Sequence, residues 1–383
     1  MSNVKIETLT PVHIGSGNFL NNNSDFFCEQ IEGDNYLIVI SENKIGKLLG
    51  NKSSEFIDLW LHTIARKGDV RQFISKFAPN AITKDYAKRK ILLYNNVNPS
   101  ETLKECIHNG MGLPYIPGSS IKGALRTAIL TSLANNIKGV DEKIIVKIKD
   151  RNGDFVPKKD KHGNVIINAN MVEKELFGND PNRDVFRFIQ VGDAYFEEET
   201  EIATRLINLN IRINEERLKD TLKSQIVEAI GSDSKSEFQL KVAKDYYDFV
   251  KSKFSQAGNL PVSSIGDLFR IINDHTRKLV EDEINYWNDV EKSGGDDYVN
   301  EMKKILQTII NCQTGTSCVL RIGHASGWRF ITGAWAENLQ NFNQVVVPAS
   351  RPSNHRYAEY DFPKTRRLDE ESYILGFVKL TVV

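Results

Sequence analysis

The sequence predicts an α+β fold built from two related halves, each carrying a helical insertion. Residues 4–9 alternate apolar and polar side chains with a period of two, which is typical of a half-buried strand. Strand-like segments return late in the chain, at residues 317–322 and 375–382. In both halves a glycine-containing loop follows a strand, at residues 10–17 and again at 323–328. This repeated order indicates two units of the same class.

The first half is predicted to span residues 1–213. After the opening strand, residues 25–30 and 36–40 form a predicted strand pair around a polar turn. A helical insertion at about 50–110 follows, because its apolar residues recur at helical spacing. Residues 201–213 then alternate apolar and polar side chains, which predicts a long strand at the end of this half.

The second half is predicted to span residues 214–383. Its segment from about 215 to 311 has helical spacing with glycine-containing breaks, so we predict a second helical insertion there. The charges of this insertion are mixed, and it offers phosphate no consistent positive face. We therefore expect the insertion to contact protein rather than nucleic acid.

Composition restricts the kind of site that the chain can carry. The 383 residues include 50 Lys plus Arg and 50 Asp plus Glu, so no net charge steers the molecule towards nucleic acid. A nucleic-acid site must therefore be a local patch. The four cysteines form no CxxC pair, which argues against a disulfide framework or a zinc site. We expect no metal and no cofactor.

The sequence also predicts a cytoplasmic protein with no membrane contact. No apolar run approaches the roughly 20 residues of a membrane-spanning helix. The N-terminal residues alternate in the manner of a strand and do not resemble a signal peptide.

The sharpest boundary in the sequence is a helix start after Pro117, where serines are placed to cap the helix. A helix N-terminus presents unpaired N–H groups and the positive end of the helix dipole, so it can bind phosphate. Basic side chains at i and i+4 lie on the same helix face. The predicted phosphate-binding residues are Ser119, Ser120, Lys122 and Arg126. The alternative is an ordinary capped helix, because the Walker spacing is missing.

A second motif combines glycines with an imidazole and an indole at Gly323, His324, Gly327 and Trp328. Flexible backbone beside a ring that can stack on a base is suited to single-stranded RNA. The alternative is a tight turn with the Trp328 side chain in the core. A lone histidine in a loop is more often solvated than catalytic.

A third motif is the basic cluster of Lys364, Arg366 and Arg367 before the last strand. Arginine can bind phosphate through two hydrogen bonds at once. The acidic residues at 369–371 follow directly and are able to neutralise the cluster instead.

An enzymatic alternative rests on His13 in the first glycine loop and on Asp25, the carboxylate that follows an Asn-rich tract. A metal-free ribonuclease requires an acid and a base that flank the scissile phosphate. These two residues are the candidates that the N-terminal region supplies.

Taken together, these segments resemble the RAMP superfamily of CRISPR-associated proteins. The similarity lies in residues 10–17, in residues 116–126 and in the glycine loop at 323–327, and their order extends over nearly the whole chain. The resemblance implies tandem ferredoxin-like, RRM-related domains. Within the superfamily, the chain length and the basic residues at 363–367 are most similar to subunit five of type III-A Csm complexes.

That similarity implies a non-catalytic subunit that ends the backbone filament and holds the 3′ region of the CRISPR RNA (crRNA). The implied partners are crRNA, the neighbouring backbone and small subunits, and a trimming nuclease as a further candidate. Target cleavage in the family is assigned to the backbone subunits, through an aspartate after the first strand. Asp25 lies in a comparable stretch here, but its Asn-rich surroundings depart from that pattern.

Three functions therefore remain open from the sequence: an RNA-binding cap without catalysis, a RAMP endoribonuclease that uses His13 or Asp25, and a scaffold that contacts protein alone. Incubation with crRNA, with and without divalent metal, separates them.

Overall fold

The fold was analysed in a computed structural model, which describes residues 1–50, 54–212, 217–253, 258–289, 295–350 and 360–383. Among the described residues, no helix is both long enough and apolar enough to cross a membrane.

Strands occur along the whole described chain. They are β1 (Ser2–Thr8), β2 (Gly15–Asn21), β3 (Phe26–Ile31), β4 (Asp34–Ile40), β5 (Ala87–Leu93), β6 (Thr102–Cys106), β7 (Tyr115–Ile116), β8 (Lys147–Lys149), β9 (Phe155–Pro157), β10 (Ile189–Val191), β11 (Ala194–Tyr195), β12 (Glu201–Arg212), β13 (Arg217–Ile230), β14 (Lys235–Val242), β15 (Ser317–Arg321), β16 (Tyr360–Asp369) and β17 (Phe377–Val382).

Helices fill three main stretches between the strands. They are α1 (Glu42–Leu49), α2 (Ser54–Ala65), α3 (Val70–Phe77), α4 (Thr83–Tyr86), α5 (Gly118–Ala134), α6 (Val140–Lys143), α7 (Asn170–Phe177), α8 (Lys244–Lys253), α9 (Ile265–Asp289), α10 (Asp296–Ile310) and α11 (Val347–Ser350). The predicted α+β class is confirmed.

The first sheet has five antiparallel strands in the order β10-β14-β1-β17-β15. Its centre is β1, whose alternating Val4 and Ile6 side chains are fully buried. Helices α5 and α9 contribute Leu125 and Phe269 to the same core cluster. The strand predictions at both ends of the chain are confirmed, because period-two patterning there reflects one buried face.

The second sheet has eight strands, with β2-β6-β13-β12-β5-β4-β3 in order and β16 paired to β12. Two of its pairings are parallel, β12 with β5 and β13 with β6. The long β12 has room for both β5 near its start and β16 near its end. Helices α1 to α3 pack against the β3–β4 side of this sheet, where Ile38, Trp60 and Phe73 share a core cluster.

Both predicted helical insertions are too long. The segment 50–110 is helical only as far as Tyr86, and it then forms β5 and β6. The segment 215–311 contains β13 and β14, and its helices begin only at Lys244. In β14 the buried Phe238 and Leu240 alternate with exposed polar residues. This alternation is typical of a strand, so the helical prediction was wrong for this segment.

The predicted domain boundary between residues 213 and 214 falls between β12 and β13, which pair along most of their length. Both sheets contain strands from both sides of this boundary. In the first sheet, β1 lies between β14 and β17. The polar segment 147–165 contains the β8–β9 hairpin.

Candidate nucleic-acid interface

The glycine loop after β15 is held against the first glycine loop of the chain. The N–H of His324 donates a hydrogen bond to the His13 carbonyl oxygen at 2.9 Å. Gly323 has a φ of +78°, and a Cβ at this position would lie 2.5 Å from the same oxygen. Glycine is therefore required here for both conformation and close approach. This contact fixes where the His324 side chain emerges.

The imidazole of His324 lies between two cations. Lys104 Nζ is 3.3 Å from His324 Nδ1, and Arg367 Nη1 is 2.6 Å from Nε2. Lys104 is on β6 and Arg367 is on β16, so three distant segments meet at this point. A neutral imidazole has only one nitrogen that can accept a hydrogen bond. One of the two cations therefore faces an N–H group and has no acceptor there.

The electrostatics of this trio show an excess of positive charge. Burial, together with the charges of Lys104 and Arg367, lowers the pKa of His324 to about 3. Burial and the nearby Arg367 also lower the pKa of Lys104. Among the described residues, neither cation forms an ion pair with a carboxylate. An anion at this position would supply the missing acceptors and remove the charge excess.

His324 and Arg367 open into a cavity of about 450 Å³, whereas Lys104, which contacts His324, does not line it. The paired strands β12 and β16 form one wall of the cavity, where Arg367 on β16 lies opposite Asn208 on β12. The lining residues that bear on binding are Asn208, Lys223, His324, Trp328, Lys364 and Arg367. No carboxylate is among the residues that line it in the described part of the chain. We refer to it as the basic cavity.

Trp328 combines packing with a place at the edge of the basic cavity. Its ring lies 4.8 Å from that of Phe362 in an edge-to-face arrangement. A Cβ at Gly333 would overlap the indole, so the backbone of Gly333 covers part of it. Much of the Trp328 indole is therefore packed against its neighbours, as the alternative interpretation predicted. The rest of it lines the basic cavity.

Arg366 does not belong to the site, although the sequence predicted it there. It is 7% exposed, and its Nε and Nη2 donate to the Glu283 carboxylate at 2.9 and 2.6 Å. Successive side chains of a strand point to opposite faces, so Arg366 is directed inward while Arg367 reaches the basic cavity. Arg366 is a structural residue in a buried ion pair.

The helix start after Pro117 forms a different surface. Gly118 is the first residue of α5, and its N–H donates to Asp193 Oδ1 at 2.7 Å. Ser119 and Ser120 lie inside the first turn, and neither caps the helix. A carboxylate thus already accepts a hydrogen bond from the first free N–H of the helix. The predicted serine cap is wrong, and this N–H is not free to bind phosphate.

Arg126 is neutralised within this second surface. Its guanidinium contacts Glu173 at 3.0 Å and Asp184 at 2.8 Å, and it lies 4.1 Å from the Phe177 ring centre. Ser119, Lys122 and Arg126 line a cavity of about 590 Å³ that also contains acidic residues. It shares no lining residue with the basic cavity. The residues of the predicted motifs therefore lie on two separate surfaces.

The candidate catalytic residues have structural roles. His13 is fully buried, and its Nδ1–H donates to the Glu228 carbonyl oxygen at 2.5 Å. Burial lowers the pKa of His13, and that hydrogen bond opposes the shift. Asp25 accepts hydrogen bonds from the backbone and the side-chain amide of Asn21. It thereby holds the turn between β2 and β3.

The sequence did not identify Lys104, Lys223 or Asn208. Each lies in a strand that pairs with a distant segment, so no local motif contains it. The available signal was the alternation in β6, where Leu103 and Glu105 face inward on either side of Lys104, but this segment was predicted to be helical.

Comparison with known proteins identifies the family. The family model of the RAMP superfamily matches residues 5–328. The chain belongs to the RAMP superfamily. This confirms the resemblance found in the sequence, and the ferredoxin-like α+β class agrees with RAMP membership. No curated protein sequence matches the chain.

Two solved structures show a similar fold over nearly the full length of the chain. A chain of a Csm–crRNA–target RNA ternary complex from a type III-A CRISPR-Cas system matches with a TM-score of 0.69 and 19% identity, covering 100% of both chains. Csm5 from T. onnurineus matches with a TM-score of 0.56 and 16% identity, covering 98% of this chain and 99% of that one. The similarity of fold to these two structures includes the C-terminal strands beyond residue 328.

Proposed function

We propose that this RAMP protein is a non-catalytic, RNA-binding subunit of a type III-A Csm complex, where it holds crRNA at the end of the backbone filament. The observation that carries the proposal is the pair of cations on either side of His324, whose imidazole lines the basic cavity. Lys104 and Arg367 both direct donors at His324, and no described carboxylate balances them. A phosphodiester is the anion that RNA supplies at such a site.

The size of the basic cavity suits a nucleotide unit rather than a lone ion. At about 450 Å³ it lies within the roughly 300–1,000 Å³ of ligand pockets. Side-chain amides and the edge of an indole also face it, and these groups can hold a sugar or a base. Its walls belong to paired strands, which keep the donors in place before binding.

The structural similarity to Csm5 and to a chain of the Csm–crRNA–target RNA complex supports the choice of complex and of partners. Those partners are crRNA and the neighbouring Csm subunits. A trimming nuclease that shortens the 3′ end is a further candidate partner.

The absence of catalysis is part of the proposal. His13 uses its Nδ1–H to hold β13, and Asp25 holds a turn, so neither side chain is directed at a substrate. The basic cavity supplies cations and amides from the described residues but no carboxylate to act as a general base or to hold a catalytic metal.

A salt titration of crRNA binding by the full chain tests the site. The double variant Lys104→Ala/Arg367→Ala should weaken binding of every RNA sequence alike. It should reduce the slope of log K against log salt by roughly 1.4, because a single strand contributes about 0.7 per phosphate contact. The matched control is Lys122→Ala/Arg126→Ala. We expect its slope to change little, since Arg126 is already paired with acids.

If the slope of log K against log salt fell in Lys122→Ala/Arg126→Ala and not in Lys104→Ala/Arg367→Ala, the RNA site would lie on the α5 surface instead. Cleavage is tested in parallel with labelled crRNA and target RNA, with Mg²⁺ or with EDTA. Intact RNA supports the non-catalytic role. Metal-independent cleavage that is lost in His13→Ala would instead identify a ribonuclease.

A further inference from the structure

A cluster of charged residues lies inside the second sheet, where four neighbouring strands each contribute one side chain. Arg89 on β5, Glu201 on β12, Glu228 on β13 and Glu105 on β6 are all buried or nearly so. Glu201 pairs with Ile230 and Glu228 pairs with Ala203, so the two carboxylates are diagonal neighbours on one face. His108 reaches the same point from the segment after β6.

The cluster carries more negative charge than its own residues balance. Arg89 binds Glu228 through two hydrogen bonds of 2.6 and 3.0 Å and contacts Glu105 at 3.1 Å. Three carboxylates against one guanidinium leave an excess of two negative charges. A protonated His108 would still leave one uncompensated charge, which is costly in a buried site. A divalent cation beside a neutral imidazole brings the total to zero.

One carboxylate oxygen in this cluster has no partner. The Glu201 side chain is 0% exposed, and its Oε2 accepts no hydrogen bond from any described residue. The nearest cationic group is Arg89 Nε at 4.0 Å, which is too long for a hydrogen bond. The other oxygen, Oε1, lies 2.5 Å from His108 Nε2. The buried Glu201 carboxylate thus has an oxygen, Oε2, that is available as a metal ligand.

The arrangement of the ligand atoms fits a metal ion. One atom each from His108, Glu201 and Glu228 lies within 4.8 Å of the others. Nitrogen and carboxylate oxygen bind Zn²⁺ at about 2.0–2.2 Å, which separates neighbouring ligands by a little over 3 Å. Here His108 Nε2 is 2.5 Å from one carboxylate and 3.9 Å from the other, so a shift of less than about 1 Å centres the ion.

We infer that His108, Glu201 and Glu228 form a structural site for one divalent first-row transition ion, with Zn²⁺ bound most tightly among Zn²⁺, Mn²⁺ and Mg²⁺. One imidazole with two carboxylates favours Zn²⁺ and Mn²⁺ over Mg²⁺, which prefers an all-oxygen shell with several waters. The site joins β12, β13 and the segment after β6, and no step of RNA binding depends on it.

The sequence did not predict this site, and we expected no metal from it. Its three ligands come from positions 108, 201 and 228, far outside the short spacings of recognisable metal motifs. Only the pairing of β12 with β13, and of β13 with β6, brings them together.

Metal analysis of the purified full chain tests the inference. A chelator first removes bound metal, and the protein is then exchanged into buffer without chelator. The metal-free protein is incubated with Zn²⁺, Mn²⁺ or Mg²⁺ alone. We expect about one tightly held equivalent of Zn²⁺, a rise in Tm on loading, and X-ray absorption that shows nitrogen and oxygen ligands without sulfur. The sulfur criterion separates this site from adventitious binding at cysteines.

Two variants assign the ligands. Glu201→Gln keeps the shape of the side chain but should weaken Zn²⁺ binding by more than about 100-fold, because it removes a ligand and not merely an outer partner. Glu105→Gln is the matched control. It removes the same charge beside Arg89 but no proposed ligand, and it should weaken binding by less than about tenfold.

Several results would overturn the inference. If folded wild-type protein took up no Zn²⁺, protons or water would have to compensate the negative charge of the cluster, and there would be no metal site. Sulfur ligation, or equal binding by wild type and Glu201→Gln, would place the metal elsewhere. If Glu201→Gln does not fold, the wild-type stoichiometry and ligand type decide by themselves.

Discussion

At the scale of single residues, the adjacent arginines of β16 have opposite roles. Arg366 is directed inward and binds Glu283, whose pKa it holds well below the usual range despite burial. Arg367 points to the other face of the strand and reaches His324. One step along a strand therefore separates a residue that stabilises the interior from one that is placed to bind phosphate.

This division predicts different outcomes for the same substitution. Arg366→Ala should lower the free energy of unfolding by about 3 kcal/mol, because it removes one of the two described ion-pair partners of the buried Glu283 carboxylate and leaves Arg329. Arg367→Ala should change it by no more than about 0.5 kcal/mol while it weakens RNA binding. Urea unfolding of both variants, followed by RNA titration of the folded ones, provides the measurement. Equal destabilisation by the two would contradict this assignment.

The sequence identified part of the basic cavity. His324 and Arg367 were found because glycines and adjacent cations form recognisable local motifs. Lys104 was missed, since its contact with His324 joins residues 220 positions apart. Arg366 was wrongly included for the related reason that a basic run does not show which of its members a strand will bury. Local patterns report residue type, whereas the charge balance of a site depends on residues that folding brings together.

At the scale of elements, the two glycine loops act as a pair. Gly323 and Gly327 both have positive φ, at +78° and +82°. They differ in their surroundings, because a Cβ at Gly323 would meet the His13 carbonyl and one at Gly327 would meet nothing within 4 Å. Glycine is needed at 323 because of both its conformation and the neighbouring backbone, and at 327 because of its conformation alone.

Alanine at the two positions should therefore have unequal effects. Gly327→Ala should cost about 1–2 kcal/mol of stability from backbone strain. Gly323→Ala should cost about 1–3 kcal/mol more, since the loops must also separate. It should reduce RNA affinity as well, because His324 moves with the loop. Thermal unfolding and RNA titration give the two readouts, and identical values for both variants would argue against contact between the loops.

The elements at the two ends of the chain and the helix start after Pro117 were predicted well. Strand β1 alternates in burial, and β15 is buried along its whole length. Helix α5 begins directly after Pro117, as the sequence indicated. The strands β5, β6, β13 and β14 were taken for helices. Exposed charged residues occur in β5 and β14, and what makes all four segments strands is pairing with distant partners.

At the scale of the whole molecule, the shared sheets favour one cooperative unit over two independent domains. Residues 1–213 and 214–383, produced separately, should each fail to give a cooperative unfolding transition. The first fragment leaves β1 without β14 and β17, and the second leaves β13 without β12. Circular dichroism during urea titration is the measurement. A sigmoidal transition in either fragment would restore the two-domain organisation that the sequence predicted.

The position of β1 between β14 and β17 also matters during translation. The strand leaves the ribosome early, but its second neighbour starts only at Phe377. At about 5–20 residues per second, β1 waits for tens of seconds with an unpaired edge. An exposed strand edge is a site of aggregation, so the nascent chain needs a chaperone or a temporary partner there. The Arg367 side of the basic cavity is synthesised just as late, so the basic cavity is complete only when the first sheet can close.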